Sequence, residues 1–365
     1  MNSVHFNQKR VLITGHTGFK GAWLSIWLHR LGAQLSGIAL DPQHPDGVFL
    51  RSGIGARMRD HRADIRDLDR MKAVFAEEQP EIVFHLAAQP LVLESYRDPA
   101  ATFAINTQGT VNILEAIRCT PSVRAAVLIT TDKCYENQEW VYGYRETDPM
   151  GGHDPYSASK GAAEIVISSY RRSFFQSGRP TAIASGRAGN VIGGGDWSEN
   201  RLVPDIIRAI QSNQTLEIRN PAAVRPWQHV VEPLGGYLLL AQKLLEDPAR
   251  YAGPWNFGPL PHSVHTVGTV VEAFFQYFRN RYPERPLAGW RDTSDPNQPH
   301  EAGLLMLDIS KAIHRLGWQP ALDFQETVEM TADWYARFAD SNVWALCLEQ
   351  INQYQEKWFR KNEQN

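Results

Sequence analysis

A chain of 365 residues, 43% of them hydrophobic, can bury a large core and divide it into two lobes. Its net charge of −3 and lack of any apolar run of membrane-spanning length exclude a nucleic-acid binder and a membrane protein. Cys119, Cys134 and Cys347 show no disulfide or metal-ligand spacing, and the start Met1-Asn2-Ser3-Val4-His5 does not read as a signal peptide, so a cytoplasmic protein without a metal is expected.

Arg10-Val11-Leu12-Ile13-Thr14 reads as a buried strand. It runs into Gly15-His16-Thr17-Gly18-Phe19-Lys20-Gly21 and then into a helix with Trp23, Leu24, Trp27, Leu28 and Leu31 along one side. Strand, glycine turn and helix form the first unit of a dinucleotide fold, in which the glycines let a pyrophosphate approach the helix N-terminus. A second strand over 35–40 ends at Asp41. An acid there holds ribose hydroxyls and disfavours an added 2′-phosphate, which selects NAD over NADP; the other reading is that Asp41 simply opens the Asp41-Pro42 turn. Asp64-Ile65, after a third strand, fits the adenine edge of such a site, or else a cap for the helix beginning near Asp67.

Residues 81–86 read as another buried strand, and the small residues after Leu86, Ala87 and Ala88, leave room for the nicotinamide half of the cofactor. A helix capped by Asp98-Pro99 follows. The strand 125–129 then delivers Thr130-Thr131-Asp132-Lys133 at its carboxyl end, the edge where open parallel sheets bind ligands. Asp154-Pro155 caps a helix that places Tyr156 in its first turn and Lys160 beside it at i+4. An ammonium beside a phenol is expected to lower its pKa and make Tyr156 a base for a sugar hydroxyl. After the strand 181–186 the chain becomes rich in loops, prolines and tryptophans. The expected architecture is α/β: a Rossmann-type doubly wound parallel sheet with a smaller C-terminal substrate lobe. Its NAD-binding domain covers 1–187, with returning segments from about 226 to 257, and 188–365 forms mainly the substrate lobe.

Several of these segments also carry a resemblance. The Gly-x-x-Gly-x-x-Gly turn is similar to that of the extended short-chain dehydrogenase/reductases. Residues 130–137, Tyr144-Arg145-Glu146, 148–156 and Arg225-Pro226-Trp227-Gln228-His229-Val230 resemble the CDP-glucose 4,6-dehydratase family, whose relatives acting on dTDP-glucose and GDP-mannose carry Asp-Glu where this chain has Asp132-Lys133. The resemblance implies a retained NAD, CDP-glucose as substrate, and a part in deoxysugar biosynthesis for cell-surface polysaccharide. It implies Tyr156, Thr131 and Lys160 for oxidation at C4, and Asp132 and Lys133 as acid and base for loss of water across C5 and C6. It further implies Asn190 and Arg225 at the sugar-nucleotide pyrophosphate, with Arg201, Arg219, Asn256, His300 and Glu301 as further nucleotide contacts. Helices over about 99–118 and 155–176 suggest a homodimer or homotetramer built through a four-helix bundle. The alternatives are a dTDP-, GDP- or UDP-sugar dehydratase or epimerase, and a non-catalytic NAD-binding Rossmann protein.

Overall fold

In the computed structural model, which describes residues 3–175, 181–260, 263–295 and 303–363, seven strands share one sheet. They are β1 (Arg10–Thr14), β2 (Gln34–Ala39), β3 (Arg59–Arg62), β4 (Ile82–His85), β5 (Ala125–Ile129), β6 (Ala182–Ala188) and β7 (Gly253–Phe257). All pairings are parallel, in the order β7-β6-β5-β4-β1-β2-β3. The order reverses between β1 and β4, and the carboxyl ends flanking that reversal are where a doubly wound sheet opens its ligand crevice.

The near-continuous apolar runs of β1, β4 and β5 follow from cover on both faces. Leu12, Val83, Ala126 and Leu128 face a cluster with Met71, Phe75, Ile113, Leu114 and Ile117. Their neighbours Val11, Ile13, Phe84, Val127 and Ile129 face the opposite cluster with Trp23, Trp27, Leu234 and Leu238. Strand periodicity of two thus sorts alternate residues into separate cores. Each large side chain so buried stabilises the fold by roughly 1.5–3 kcal/mol before entropy is counted.

The longer helices are α1 (Phe19–Arg30), α2 (Leu68–Glu78), α3 (Pro99–Phe103 continuing through the π turn Ala104–Gln108 into Gly109–Arg118), α4 (Pro155–Phe174), α5 (Leu202–Ser212), α6 (Val231–Glu246), α7 (Val267–Arg281), α8 (Phe324–Arg337) and α9 (Val343–Glu363). The sequence suggests one apolar side for α1, yet Gly21 to Leu28 are all buried. The reason is α9, which crosses α1 and sets Tyr354 edge-on to Trp27 at 5.7 Å. Beyond β6 the chain builds three two-stranded ribbons: 191–192 with 228–229, 224–225 with 265–266, and 216–218 with 290–292. It returns to the sheet through α6 and β7.

Candidate active site

At the cofactor end the turn after β1 is closed by glycines that no other residue can replace without movement. Gly15 has φ +74°, and a Cβ there would lie 2.8 Å from Ala87 N. A Cβ on Gly21 would lie 2.1 Å from Gly15 O. Gly18 occupies the N-cap of α1 without a side-chain cap, so the first amides of the helix remain available to an anion. The cradle fits a dinucleotide pyrophosphate. Thr17 Oγ1 donates to Leu40 O at 3.0 Å, and Phe19 lines the adjoining pocket. Leu86 N and Ala87 N both donate to Thr14 Oγ1 at 3.2 Å, and Ala88 follows them along the crevice.

Asp41 lies two residues beyond β2, its side chain 90% exposed and 3.7 Å from Arg62 Nε. The sequence shows no arginine directly after Asp41; tertiary structure brings one from β3. Asp64 caps no helix. Its carboxylate accepts from Arg66, which holds it below the ordinary range, while Asp67 caps α2 by accepting from Arg70 N at 3.0 Å. Ile65 is buried, and a Cβ on Gly109 would lie 2.5 Å from its Cδ1.

At the other end of the crevice β5 stops at Ile129 and the chain makes a 3₁₀ turn over Asp132–Cys134. Thr131 caps this turn, accepting from Lys133 N at 3.3 Å and donating to Asp132 Oδ1 at 2.9 Å. Asp132 is buried, and burial raises its pKa against the opposing pull of Lys133 and Thr131. The α4 cap is as the sequence suggests: Asp154 Oδ1 accepts from Ser157 N at 2.9 Å, and Pro155 opens the helix. Tyr156 then lines the same pocket as Thr131, which draws its phenol pKa down.

The electrostatics differ from the expectation. Burial pushes the Tyr156 phenol up to about 12; Thr131 and Arg201 lower it, but Lys160 is not among the groups acting on it most strongly. Lys160 instead donates to Ile129 O at 3.3 Å, and burial brings its ammonium down to about 8. Burial and the adjacent carboxyl oppose ionisation of the phenol, and Lys160, bonded to Ile129 O, is not among the groups that offset them.

These groups open into a pocket of about 600 Å³ lined by Thr131, Asp132, Lys133 and Tyr156, and also by Asn190, Arg201, Arg219 and Arg225. Asn190 sits at φ +34°. Arg201 pairs with Asp196 at 3.0 Å, and Arg225, 4% exposed, donates to Val224 O at 2.9 Å. Asn256 does not reach this pocket. It is fully buried, accepting from Tyr135 OH at 2.7 Å and donating to Tyr144 O at 2.7 Å, so its amide ties β7 to the 135–144 segment. His300 and Glu301 lie outside the described residues.

Two features escaped the motif reading. Lys20, in the glycine turn, also lines the pocket; burial together with Arg201 and Lys160 brings its ammonium down to about 7. A cation between two glycines at the head of an apolar helix was the available signal. Below the site, Glu164 accepts from Arg187 at 2.7 Å, Thr130 at 2.5 Å and Ser185 at 2.9 Å. Burial pulls the Glu164 carboxyl up, but Arg187 and the two hydroxyls outweigh it and hold it below its ordinary value. The pair fastens α4, β5 and β6 together one helical turn beneath Lys160.

Sheet order, glycine cradle and a Tyr-Lys helix facing the end of β5 define a Rossmann-type fold of the short-chain dehydrogenase/reductase kind. A family model described as GDP-mannose 4,6 dehydratase matches residues 12–331, and the chain belongs to that family. It is 46% identical to the CDP-glucose 4,6-dehydratase of Salmonella typhimurium over 93% of this chain and 94% of the relative. It is 25% identical to a dTDP-glucose 4,6-dehydratase of Neisseria gonorrhoeae over 90% and 96%. Among solved structures, the UDP-glucose 4-epimerase of Thermus thermophilus in complex with NAD superimposes with a TM-score of 0.75 at 25% identity, covering 90% of this chain and 99% of that one. No helix among the described residues is long and apolar enough to cross a membrane.

Proposed function

We propose that this protein is a CDP-glucose 4,6-dehydratase, converting CDP-D-glucose to CDP-4-dehydro-6-deoxy-D-glucose and water with a retained NAD. The observation that carries the reading is Asp132-Lys133 lining the same pocket as Thr131 and Tyr156, in a chain 46% identical to a CDP-glucose 4,6-dehydratase. An epimerase needs one hydroxyl base; loss of water across C5 and C6 needs an additional acid and base.

The dinucleotide is held by Gly15, Thr17, Gly18, Phe19 and Gly21 at its pyrophosphate, Asp41, Asp64 and Ile65 on the adenosine side, and Leu86, Ala87, Ala88, Tyr156 and Lys160 on the nicotinamide side. Held there, NAD would supply the hydride acceptor for C4 and the hydride donor for C6. Tyr156, ionised to its phenolate, takes the C4 hydroxyl proton while Thr131 orients that hydroxyl. Lys133 removes the C5 proton made acidic by the C4 ketone, and Asp132 protonates the departing C6 hydroxyl. Lys133 then returns its proton to C5. Arg225, Asn190, Arg201 and Arg219 take the diphosphate and ribose in the substrate lobe, Arg225 by the bidentate geometry that suits phosphate.

The protein acts in the cytoplasm as a homo-oligomer, making a precursor of deoxysugars for cell-surface polysaccharide. Phe103, Ile165 and Phe174, 39%, 62% and 47% exposed on α3 and α4, supply the apolar face for a second copy. Val166 and Tyr170 are partly committed to their own subunit's core, which narrows that face.

The test is turnover of CDP-, dTDP-, UDP- and GDP-glucose, each followed by the base-treated absorbance of a 4-keto-6-deoxy product. Product from CDP-glucose alone is the expected result. Preference for another nucleotide moves the substrate assignment, and interconversion at C4 without loss of water makes the protein an epimerase. Replacing Lys133 with Met should leave C4 oxidation intact and abolish deuterium incorporation at C5 from heavy water; normal C5 exchange removes Lys133 from the mechanism.

A further inference from the structure

In the reading above Asp41 takes the adenosine ribose, yet it stands beside a cation. In a dinucleotide fold an acid at the end of the second strand holds the ribose hydroxyls, whereas an arginine nearby accommodates a 2′-phosphate. This chain has both. Asp41 follows β2, and Arg62 closes β3, which pairs with β2 in parallel. Arg62 Nε lies 3.7 Å from Asp41 Oδ1, an ion pair too long for a hydrogen bond.

The two partners are mounted differently. Arg62 Nη2 donates to Asp60 Oδ2 at 2.7 Å and its Nη1 to Leu40 O at 2.9 Å, while the guanidinium lies over the Phe49 ring, 5.1 Å from the centroid. These anchors are themselves tied to the glycine turn. Asp60 Oδ1 accepts from His16 Nε2 at 2.8 Å, and Leu40 O accepts from Thr17 Oγ1 at 3.0 Å. The protein itself therefore fixes the guanidinium against the turn that cradles the pyrophosphate. Asp41, by contrast, projects with its side chain 90% exposed. A guanidinium carries five N–H donors in one plane. One from each terminal nitrogen goes to Asp60 and Leu40, and Nε is turned toward the carboxylate of Asp41.

We propose that Arg62 is the cation of a built 2′-phosphate site, and that the charge of Asp41 alone keeps NADP out of it. The inference rests on the placement of the adenosine at Asp41 in the reading above, and not on the identity of the sugar nucleotide. Two carboxylates, Asp41 and Asp60, outnumber the one guanidinium between them, so a phosphate dianion meets repulsion there. Taking the charge from Asp41 leaves Arg62 balanced by Asp60 and turns its remaining donors to the phosphate. A planar fork of N–H groups suits phosphate oxygens, and a side chain already ordered by its neighbours loses little further freedom in binding. NAD selection in this chain then depends on one exposed carboxylate and not on the lack of a cation.

The measurement is the dinucleotide that the protein keeps. Purified protein is equilibrated with equal concentrations of NAD and NADP, separated from unbound nucleotide and denatured, and the ratio of released NADP to NAD is read. The unaltered protein should release NAD with less than about a tenth as much NADP. Asp41→Asn should raise that ratio roughly 10- to 100-fold. Adding Arg62→Met to Asp41→Asn should remove most of the gain. Arg62→Lys in the same background should keep only part of it, because a point charge replaces the fork. An Asp41→Asn protein whose ratio does not move overturns the site. So does a double variant with Met that keeps the gain, since Arg62 would then only brace the glycine turn. Sugar turnover does not enter the measurement, so the ratio holds or fails apart from the dehydratase reading. Unaltered protein that takes up neither nucleotide overturns the cofactor placement, and the 2′-phosphate site with it.

Discussion

The two ends of the pocket are built by opposite means. Thr131, Asp132, Tyr156 and Lys160 hang from β5 and α4. β5 is paired with β6 over all five of its residues and with β4 over four, and the Glu164–Arg187 pair locks α4 beneath the site. Arg219 and Arg225 hang from ribbons whose pairings run for only three and two residues. Proton and hydride transfer demand reacting atoms held to fractions of an ångström, whereas a diphosphate can be gripped by long cations whose mounting yields. Under the proposed function, that contrast gives chemistry to the sheet and recognition to the ribbons.

Substitutions can break that division. Tyr156→Phe removes a single oxygen from the rigid end and should lower turnover on the order of 100- to 10,000-fold with the fold intact. A Phe variant that oxidises sugar at the unaltered rate removes Tyr156 as the base. Arg187→Met touches no ligand in the mechanism, but it leaves Glu164 buried and unpaired. It should destabilise the protein by about 3–5 kcal/mol in urea titration; a loss under 1 kcal/mol would mean the lock beneath α4 is not what holds the rigid end.

The junction between the two regions should respond to pH. Glu232 on α6 accepts from Ala321 N and Leu322 N at 2.7 and 2.6 Å, and burial raises its carboxyl from 4.5 to about 7. The folded chain therefore keeps a proton that the unfolded chain releases. Stability from this group is full below pH 4.5 and is lost as pH rises through 7, a change of about 3 kcal/mol. Glu232→Gln should flatten that part of the stability profile; an unchanged slope would place the titration elsewhere. The smallest effect belongs to the ribbons. Arg225→Lys keeps the charge and loses the planar fork, so KM for the sugar nucleotide should rise about tenfold with kcat little altered. A large fall in kcat would mean the nucleotide end is as exacting as the sugar end.

What could be read without coordinates follows the same line. The glycine turn, the Asp154-Pro155 cap and the Tyr156–Lys160 spacing are local, so residues a few positions apart suffice to define them. Asn256 gives no local sign of its surroundings, which are made by Tyr135 and Tyr144, more than a hundred residues away in sequence. Asp41 and Arg62 meet across neighbouring strands, which no local pattern reveals. Arg187 within an otherwise small and apolar strand and Glu164 on a buried helix face were legible as oddities, but only the packing of α4 on β6 makes them partners. The neutralising effect of burial on Tyr156 is likewise invisible in a Tyr-x-x-x-Lys spacing, which carries distance along a helix and not depth below a surface.

The unequal anchoring of the strands has a kinetic consequence. Backbone amides of β5 are bonded within a ladder closed by neighbours on both edges, so their hydrogens can exchange with heavy water only when the sheet itself opens. Those around 216–218 and 224–225 are released by separating a few pairs and should exchange through local opening many orders of magnitude sooner. Mild denaturant should therefore loosen the grip on the nucleotide first. An enzyme in that condition would bind substrate weakly, yet at saturating concentrations it would still turn it over.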